Sequence, residues 1–269
     1  MVIQADRALA ANDVVTALQG YERAAGDSDH HVASVALDRL GELYAKGGPV
    51  PQDLARAEDY FRRAALLGDP YAQAAQAEFV LDGIATTADP ATALIWARKA
   101  AAAGMTIAFA QLGWQYMNGL GVEQSADEAK AWYLRGAEEG DANCQYQLGW
   151  LYAHTQPTDY REALKWYQRA AAQDIKTNRD PNAIATAQNN IGYLFEKGQG
   201  VQPDYRAAYG WYTQAAHSGS VRGFYHLGHL YAEGLGVQQD PGRARELMQQ
   251  AAAHGDSDAA AWLASASGH

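Results

Sequence analysis

Residues 106–122 read TIAFAQLGWQYMNGLGV and contain the pattern that organises the whole chain. The leucine–glycine step within them, Leu112-Gly113, recurs with glycine or alanine at positions 41, 77, 113, 149, 192, 228 and 264. Successive positions are 36 residues apart, except that 43 residues separate 149 from 192. A period of this size is typical of a solenoid, in which each unit buries its apolar face only against its neighbours.

The first part of this pattern is predicted to form a helix, which we call helix A. Phe109, Leu112, Gly113 and Tyr116 share one helical stripe at three- and four-residue spacing. A glycine inside a helix costs roughly 1 kcal/mol relative to alanine, so its recurrence there needs a packing reason. We therefore expect another helix to approach closely at this glycine.

A second helix in each unit, helix B, is predicted from an aromatic pair followed by a small pair. The most complete aromatic pairs are Tyr60-Phe61, Trp132-Tyr133, Trp166-Tyr167 and Trp211-Tyr212. Large residues four positions from small ones let adjacent helices interlock, so these aromatics are expected to be structural.

The loop between the two helices also repeats, as at residues 118–127. Its glycines are expected to end helix A, its valine to plug the turn into the core, and its acidic residue, Asp127 in this copy, to cap helix B. Looser copies occur at 46–53 and 82–86, and a shorter one at 154–159.

Helix A, the loop and helix B together give the frame A-x-x-x-L-G-x-x-Y-x-x-G-x-G-V-x-x-D-x-x-x-A-x-x-W-Y-x-x-A-A-x-x-G. This frame resembles the Sel1-like repeat (SLR) family, which is related to the tetratricopeptide (TPR) repeats. Thr106 to Gly140 matches it most fully, and six copies with a terminal helix A cover residues 30–268. The resemblance implies an all-α, right-handed α/α superhelical solenoid of about seven helix pairs, with helix A concave and helix B convex.

We divide the chain accordingly into a TPR-like capping hairpin, six repeats and a capping helix. The predicted boundaries are 1–29 for the hairpin, 30–68, 69–104, 105–140, 141–181, 182–219 and 220–255 for the repeats, and 256–269 for the helix. Repeat 4 ends in an extended junction at 172–181. Insertions in solenoids are often recruited for binding, but a tolerated surface loop or a longer helix end is the simpler interpretation.

Composition narrows the class of partner and the compartment. The 269 residues carry a formal charge of −10 without a Lys/Arg cluster, which argues against nucleic acids and anionic membranes and favours a basic or neutral protein. No stretch approaches the ~18 apolar residues that span a bilayer. The single cysteine, Cys144, and the lack of a visible signal peptide predict a cytoplasmic protein, or a periplasmic one if a signal peptide has been removed.

A partner-binding surface is predicted on helix A, because the residue after the recurring glycine projects away from the stripe that packs on helix B. Residues four positions before and after it share the same face. Rigid aromatics among adaptable polar groups are typical of peptide-binding surfaces, although Trp114 and Trp150 could instead pack between repeats. The predicted groove consists of Asp38, Glu42, Glu78, Trp114, Asn118, Tyr146, Trp150, His154, Asn189, Tyr193, Lys197, Tyr225, His229 and Glu233.

The chemistry of an active site is not visible in the sequence. His226 and His229 offer only two metal ligands, and the glycine loops follow helices and lack the phosphate-binding lysine. Cys144 is interpreted as a structural thiol, and no pair of carboxylates is marked out by an apolar setting. We therefore predict no catalytic residue, no metal and no cofactor.

Three functions stay open at this point. The resemblance implies a non-catalytic scaffold or adaptor that captures a protein segment in the concave groove, as a monomer. A bacterial immunity protein that neutralises a cognate secreted toxin or effector is the alternative, since Asp38, Glu42 and Glu78 would suit a basic target. A hydrolase of envelope polymers, using the aromatics as a sugar platform, is less favoured because the repeats supply no catalytic pair.

Overall fold

The computed structural model of the chain describes residues 1–84, 89–176 and 178–266, and these ranges contain helices and no strand. The helices are α1 (Val2–Ala10), α2 (Val14–Ala25), α3 (His30–Lys46), α4 (Leu54–Leu66), α5 (Pro70–Leu81), α6 (Pro90–Ala102), α7 (Thr106–Asn118), α8 (Ala126–Glu138), α9 (Ala142–His154), α10 (Tyr160–Ala171), α11 (Pro181–Lys197), α12 (Tyr205–His217), α13 (Val221–Glu233), α14 (Pro241–Ala253) and α15 (Ser257–Ala266). The predicted all-α class is confirmed. The predictions for residues 85–86, for Thr177 and for the last three residues of the capping helix lie outside the described residues.

The chain forms two compact units, and the boundary between them falls inside α8, after Trp132. In the first unit α1 packs on α2, α3 on α4 and α5 on α6. In the second unit α9 packs on α10, α11 on α12 and α13 on α14, and α15 packs on α14. Helices α3, α5, α7, α9, α11 and α13 occupy the helix A positions, and the helix that follows each of them is a helix B.

The recurring glycine of helix A receives the second aromatic ring of helix B. A methyl group added at Gly149 would lie 2.5 Å from Tyr167, and one at Gly192 would lie 2.7 Å from Tyr212. Both rings are fully buried. The close approach expected from the sequence is therefore present, and it explains why a residue unfavourable to helices recurs at this position.

An acidic residue caps helix B in several repeats, as at Asp53 and Asp204. The prediction that Asp127 caps α8 is wrong, because α8 begins at Ala126 and the Ser125 hydroxyl accepts the hydrogen bond from the Glu128 amide at 3.2 Å. The Ser125 amide also bonds to a carbonyl of the preceding helix A at 2.9 Å, as the Asp204 amide does. Ser125 thus occupies the place that aspartate holds elsewhere.

The extended junction in the second unit leads into a helix A that is longer than the helix A of the repeat on either side. Helix α11 has 17 residues, whereas α9 and α13 have 13 each. Asp180 caps the added turn through the Ala183 amide at 3.0 Å, and Pro181 occupies its first position. The junction therefore extends the amino end of α11, which is the end that reaches the site described next.

Candidate functional site

A cavity of about 700 Å³ opens in the second unit, and most of its wall comes from the helix A elements α9, α11 and α13. We call it the second-unit cavity. Its lining consists of Ala153, His154, Tyr160, Tyr167, Asn182, Ala185, Thr186, Asn189, Asn190, Tyr193, Leu194, Gln199, Gly219, Ser220, Val221, Arg222 and His226. None of these described residues is Asp or Glu, so the wall is polar without being acidic.

Two polar atoms of the lining have unused hydrogen-bonding capacity. Tyr167 and Asn189 are 1% and 8% exposed, and neither Tyr167 Oη nor Asn189 Oδ1 has a hydrogen-bond partner in the described part of the chain. The Asn189 amide nitrogen donates to Asn190 Oδ1 at 3.4 Å. Because nearly all buried polar groups in proteins are paired, two such atoms in one lining need an explanation.

Tyr212, the equivalent tyrosine in the helix B of the next repeat, shows how such a hydroxyl is otherwise hydrogen-bonded. Tyr212 Oη donates to Glu196 Oε2 at 2.8 Å, and Glu196 also pairs with Lys197 at 2.6 Å. Hydrogen bonds from Lys197 and Tyr212 lower the pKa of Glu196 although burial alone would raise it. The Glu196 carboxylate is therefore charged and already paired with Tyr212 and Lys197.

The basic side chains of the lining contribute little net charge. Arg222 donates to Asp256 at 3.2 Å and to Asp258 at 2.7 Å. His226 stacks on Tyr212 with ring centroids 4.7 Å apart, and burial lowers its pKa to about 4, so the imidazole is neutral at pH 7. The second-unit cavity is consequently suited to a neutral polar group.

Several groove residues predicted in the second unit lie at or around this cavity. His154, Asn189 and Tyr193 line it, and Tyr193 is 39% exposed. Trp150 stacks on His154 with centroids 4.6 Å apart. The other groove residues of this unit are Tyr146, which packs beside Tyr167, Lys197, whose ammonium lies over the Tyr193 ring, Tyr225, whose ring lies edge-on to His226, half-buried His229 and exposed Glu233.

The groove residues predicted in the first unit form a different environment. Glu42 pairs with Arg39 at 3.1 Å and with Lys46 at 3.4 Å, so its charge is compensated locally. Burial, reinforced by nearby carboxylates, raises the pKa of Asp38 to about 7. The acidic character expected here is therefore weaker than the sequence suggested.

The remaining predicted residues of the first unit are exposed. Trp114 is 42% exposed, and the Asn118 amide donates to the Trp114 carbonyl at 2.8 Å. Glu78 is also exposed. Trp114 is thus accessible to a partner from solvent.

The sequence-based prediction missed several polar residues of the lining, and five of them lie on helix A elements: Asn182, Thr186, Asn190, Arg222 and His226. Positions 182, 186 and 190 are four residues apart and form one row on α11, and 222 and 226 form the matching row on α13. The last residue of each row lies two positions before the recurring glycine. The predicted groove was instead built on the row that contains the residue directly after that glycine. Polar residues repeated in both helices are the signal that could have found it.

The described residues show neither a reactive cysteine nor a cluster of metal-binding side chains. Cys144 is buried, and burial raises the pKa of its thiol, as expected for a structural cysteine. No group of three or more His, Cys, Asp or Glu side chains that could hold a metal occurs among these residues. Within the same ranges, no helix has the length and apolarity required to cross a membrane.

The chain is similar to several repeat proteins of known structure from bacteria. It is similar to c5321, a protective antigen of uropathogenic Escherichia coli strains with an SLR fold, at 32% identity and TM-score 0.77, over 91% of this chain and 50% of that one. It therefore spans half the length of that structure. A Sel1 repeat protein from Oxalobacter formigenes has 29% identity and TM-score 0.73, over 93% of this chain and 70% of that one.

More distant structures share only the fold. The immunity protein PA5088 from Pseudomonas aeruginosa has 18% identity and TM-score 0.52, over 86% of this chain and 82% of that one. A search of curated protein sequences finds no significant match.

The family assignment depends on repeated sequence matches as well as on these structures. A family model of the Sel1 repeat matches residues 34–69, 70–105, 108–141, 142–175, 185–220 and 225–256. These matches cover well over half of the chain and confirm the resemblance seen in its sequence. The chain belongs to the Sel1 repeat family.

Proposed function

We propose that this chain is a non-catalytic scaffold that binds a segment of a partner protein on the helix A face of its second unit. The observation that carries the proposal is the second-unit cavity of about 700 Å³, where an exposed aromatic, Tyr193, adjoins neutral amides. Cavities of this size with a few placed polar groups are typical of binding sites. Sel1 repeat proteins generally mediate protein–protein interactions, and their fold is generally a non-catalytic scaffold.

The charge of the site favours an uncharged stretch of the partner. No described lining residue is a carboxylate, Arg222 is paired with two aspartates, and His226 is neutral. A strongly basic segment would find no counter-charge in the cavity, and an acidic one would find only the compensated Arg222. The aromatic surfaces of Tyr193 and of Trp150 stacked on His154 would supply anchoring contacts beside it.

The alternative of an immunity protein has less support from the described residues. It depended on an acidic surface for a basic toxin, but Glu42 is paired with Arg39 and Lys46. The raised pKa of Asp38 further reduces the negative charge near neutral pH. A secreted toxin recovered as the bound partner would restore this alternative.

The test compares two tyrosines of the second unit that are equally exposed. Tyr193 and Tyr205 are each 39% exposed, but Tyr193 lies on α11 at the cavity and Tyr205 begins α12, a helix B, outside the lining. The partner would be identified by affinity purification from the native host with mass spectrometry, and then purified for calorimetry. Tyr193→Ala should weaken its binding by about tenfold or more, as removal of an aromatic anchor does.

Tyr205→Ala serves as the matched control and should bind like the wild type. Equal affinities of the two variants would contradict the proposal, provided that circular dichroism shows both to be folded. A loss confined to Tyr205→Ala would place the binding surface on helix B instead.

A further inference from the structure

The unpartnered atoms of the second-unit cavity indicate what kind of group it accepts. Tyr167 Oη and Asn189 Oδ1 lack hydrogen-bond partners in the described residues, and both side chains line the cavity while being more than nine-tenths buried. They belong to different helices, α10 and α11. A phenol can donate its proton and an amide oxygen can accept one, so the pair offers one donor and one acceptor.

The free hydroxyl of Tyr167 has a specific origin in the repeat. Tyr212, at the equivalent place, donates to Glu196, which follows the recurring glycine Gly192 by four residues. The residue at that place in the preceding repeat is Ala153, which also lines the cavity. The methyl group there cannot accept a proton, so the acceptor that satisfies Tyr212 is missing at Tyr167.

The adjacent Asn190 does not supply the missing hydrogen-bond acceptor. Burial raises the pKa of the Tyr167 phenol, and the neighbouring Asn190 side chain offsets part of that rise. Tyr167 Oη nevertheless has no hydrogen-bond partner in the described residues, so the phenol proton has no acceptor.

We propose that the second-unit cavity binds a side-chain carboxamide, that of a glutamine or asparagine, from the partner segment; this rests on the proposed function. A carboxamide both donates and accepts, so its oxygen takes the Tyr167 proton and its nitrogen donates to Asn189 Oδ1. A lysine or arginine only donates and leaves Tyr167 unsatisfied. An aspartate or glutamate only accepts and leaves Asn189 unsatisfied.

The separate donor and acceptor atoms of a carboxamide favour it over the other neutral groups of a peptide. A hydroxyl carries its donor and acceptor on one oxygen, whereas a carboxamide carries them on separate atoms and can address two helices at once. The two protein atoms are buried in residues that line the cavity, so a side chain that protrudes from the segment reaches them more readily than its main chain does. A cavity of about 700 Å³ has room for such a side chain with its flanking residues.

The experiment selects short random peptides, displayed on phage, against the full chain. Selected peptides are synthesised, and their affinities are measured for the wild type, Tyr193→Ala, Tyr167→Phe and the matched control Tyr212→Phe. Both phenylalanine variants keep the buried ring, but only Tyr167→Phe removes the hydroxyl of a residue that lines the cavity. Each peptide is also remade with glutamate or aspartate in place of its glutamine or asparagine, which changes the amide into an acceptor of the same shape.

The selected peptides should share a glutamine or asparagine. Tyr167→Phe and the amide-to-acid change should each weaken binding about tenfold, and Tyr212→Phe should leave it within about twofold. The carboxamide site would be refuted if peptides lost affinity for Tyr193→Ala but shared no glutamine or asparagine. It would also be refuted if peptides that depend on Tyr193 bound Tyr167→Phe normally. Either result would still agree with the proposed function. Peptides indifferent to Tyr193→Ala, or the selection of none, would overturn both.

Discussion

Replacing Gly192 with alanine should destabilise the chain, whereas the same replacement at Gly210 should stabilise it. Both glycines lie inside helices of the second unit, so alanine gains roughly 1 kcal/mol of helix propensity at either. The added methyl group would lie 2.7 Å from the Tyr212 ring at position 192, whereas no neighbouring heavy atom lies within 4 Å at position 210. The common gain in propensity cancels in the comparison, which leaves the cost of the clash.

The Tyr212 ring has little freedom to move away from that methyl group. The ring is fully buried, its hydroxyl is bonded to Glu196 at 2.8 Å, and His226 stacks on its face. Overpacking of this kind costs about 1–3 kcal/mol, so the two variants should differ by that amount in the free energy of unfolding.

Urea denaturation of both variants and the wild type, followed by far-ultraviolet circular dichroism, measures this difference. The stability of the wild type should lie between those of Gly210→Ala and Gly192→Ala, unless the free-energy cost of the clash is at the lower end of its range. If Gly192→Ala were as stable as Gly210→Ala, the glycine would not be needed for ring packing, and the explanation of its recurrence would be wrong.

Three further expectations concern stability. Tyr167→Phe should maintain or raise the melting temperature because it removes an unpaired hydroxyl, whereas Tyr212→Phe should lower it by breaking a hydrogen bond to a charged carboxylate worth about 1.5–3 kcal/mol; the reverse order would contradict the assigned pairing. The pKa of Asp38, about 7 when folded against about 3.9 when unfolded, makes its contribution to stability present below pH ~4 and lost as the pH rises through 7. Asp38→Asn should therefore raise the melting temperature more at pH 8 than at pH 4, and an equal gain at both would refute the shift. Ser125→Ala should cost about 1 kcal/mol in urea denaturation and Asp127→Ala less, since Ser125 is the cap; equal losses would argue for the aspartate.

The fold was largely predictable because the signals that specify it are local. The spacing of Phe109, Leu112 and Tyr116 defined helix A, and the interior glycine indicated a close approach by helix B. The capping residue of α8 was misassigned because two polar residues, Ser125 and Asp127, lie near its start. Only the hydrogen bond from the Glu128 amide decides between them.

The candidate site was predictable only in part. Counting from the glycine placed Asn189 and Tyr193 on the side of helix A that faces away from helix B, and both line the second-unit cavity. Asn190 and His226 were missed because their row faces a neighbouring repeat, and this depends on how successive helices pack. The unpaired state of Tyr167 needed three-dimensional contacts as well, since it follows from an alanine in a different helix.

The charge of the predicted groove residues in the first unit was also predictable only in part. Glu42 is flanked by Arg39 and Lys46 at three- and four-residue spacing, which the sequence shows. The raised pKa of Asp38, by contrast, arises from burial and from Asp69, which caps α5 of the next repeat. Formal charges therefore overstated the acidity of this surface.

Site-specific photocrosslinking in the native host would show directly which face of the second unit contacts a partner. A benzophenone amino acid is introduced at Tyr193 on α11 or at the equally exposed Tyr205 on α12. After irradiation, covalent adducts are identified by mass spectrometry. Binding on helix A predicts a specific protein adduct from position 193 and none, or much less, from position 205. Adducts from 205 alone, or the same adducts in equal yield from both positions, would contradict the proposed binding face.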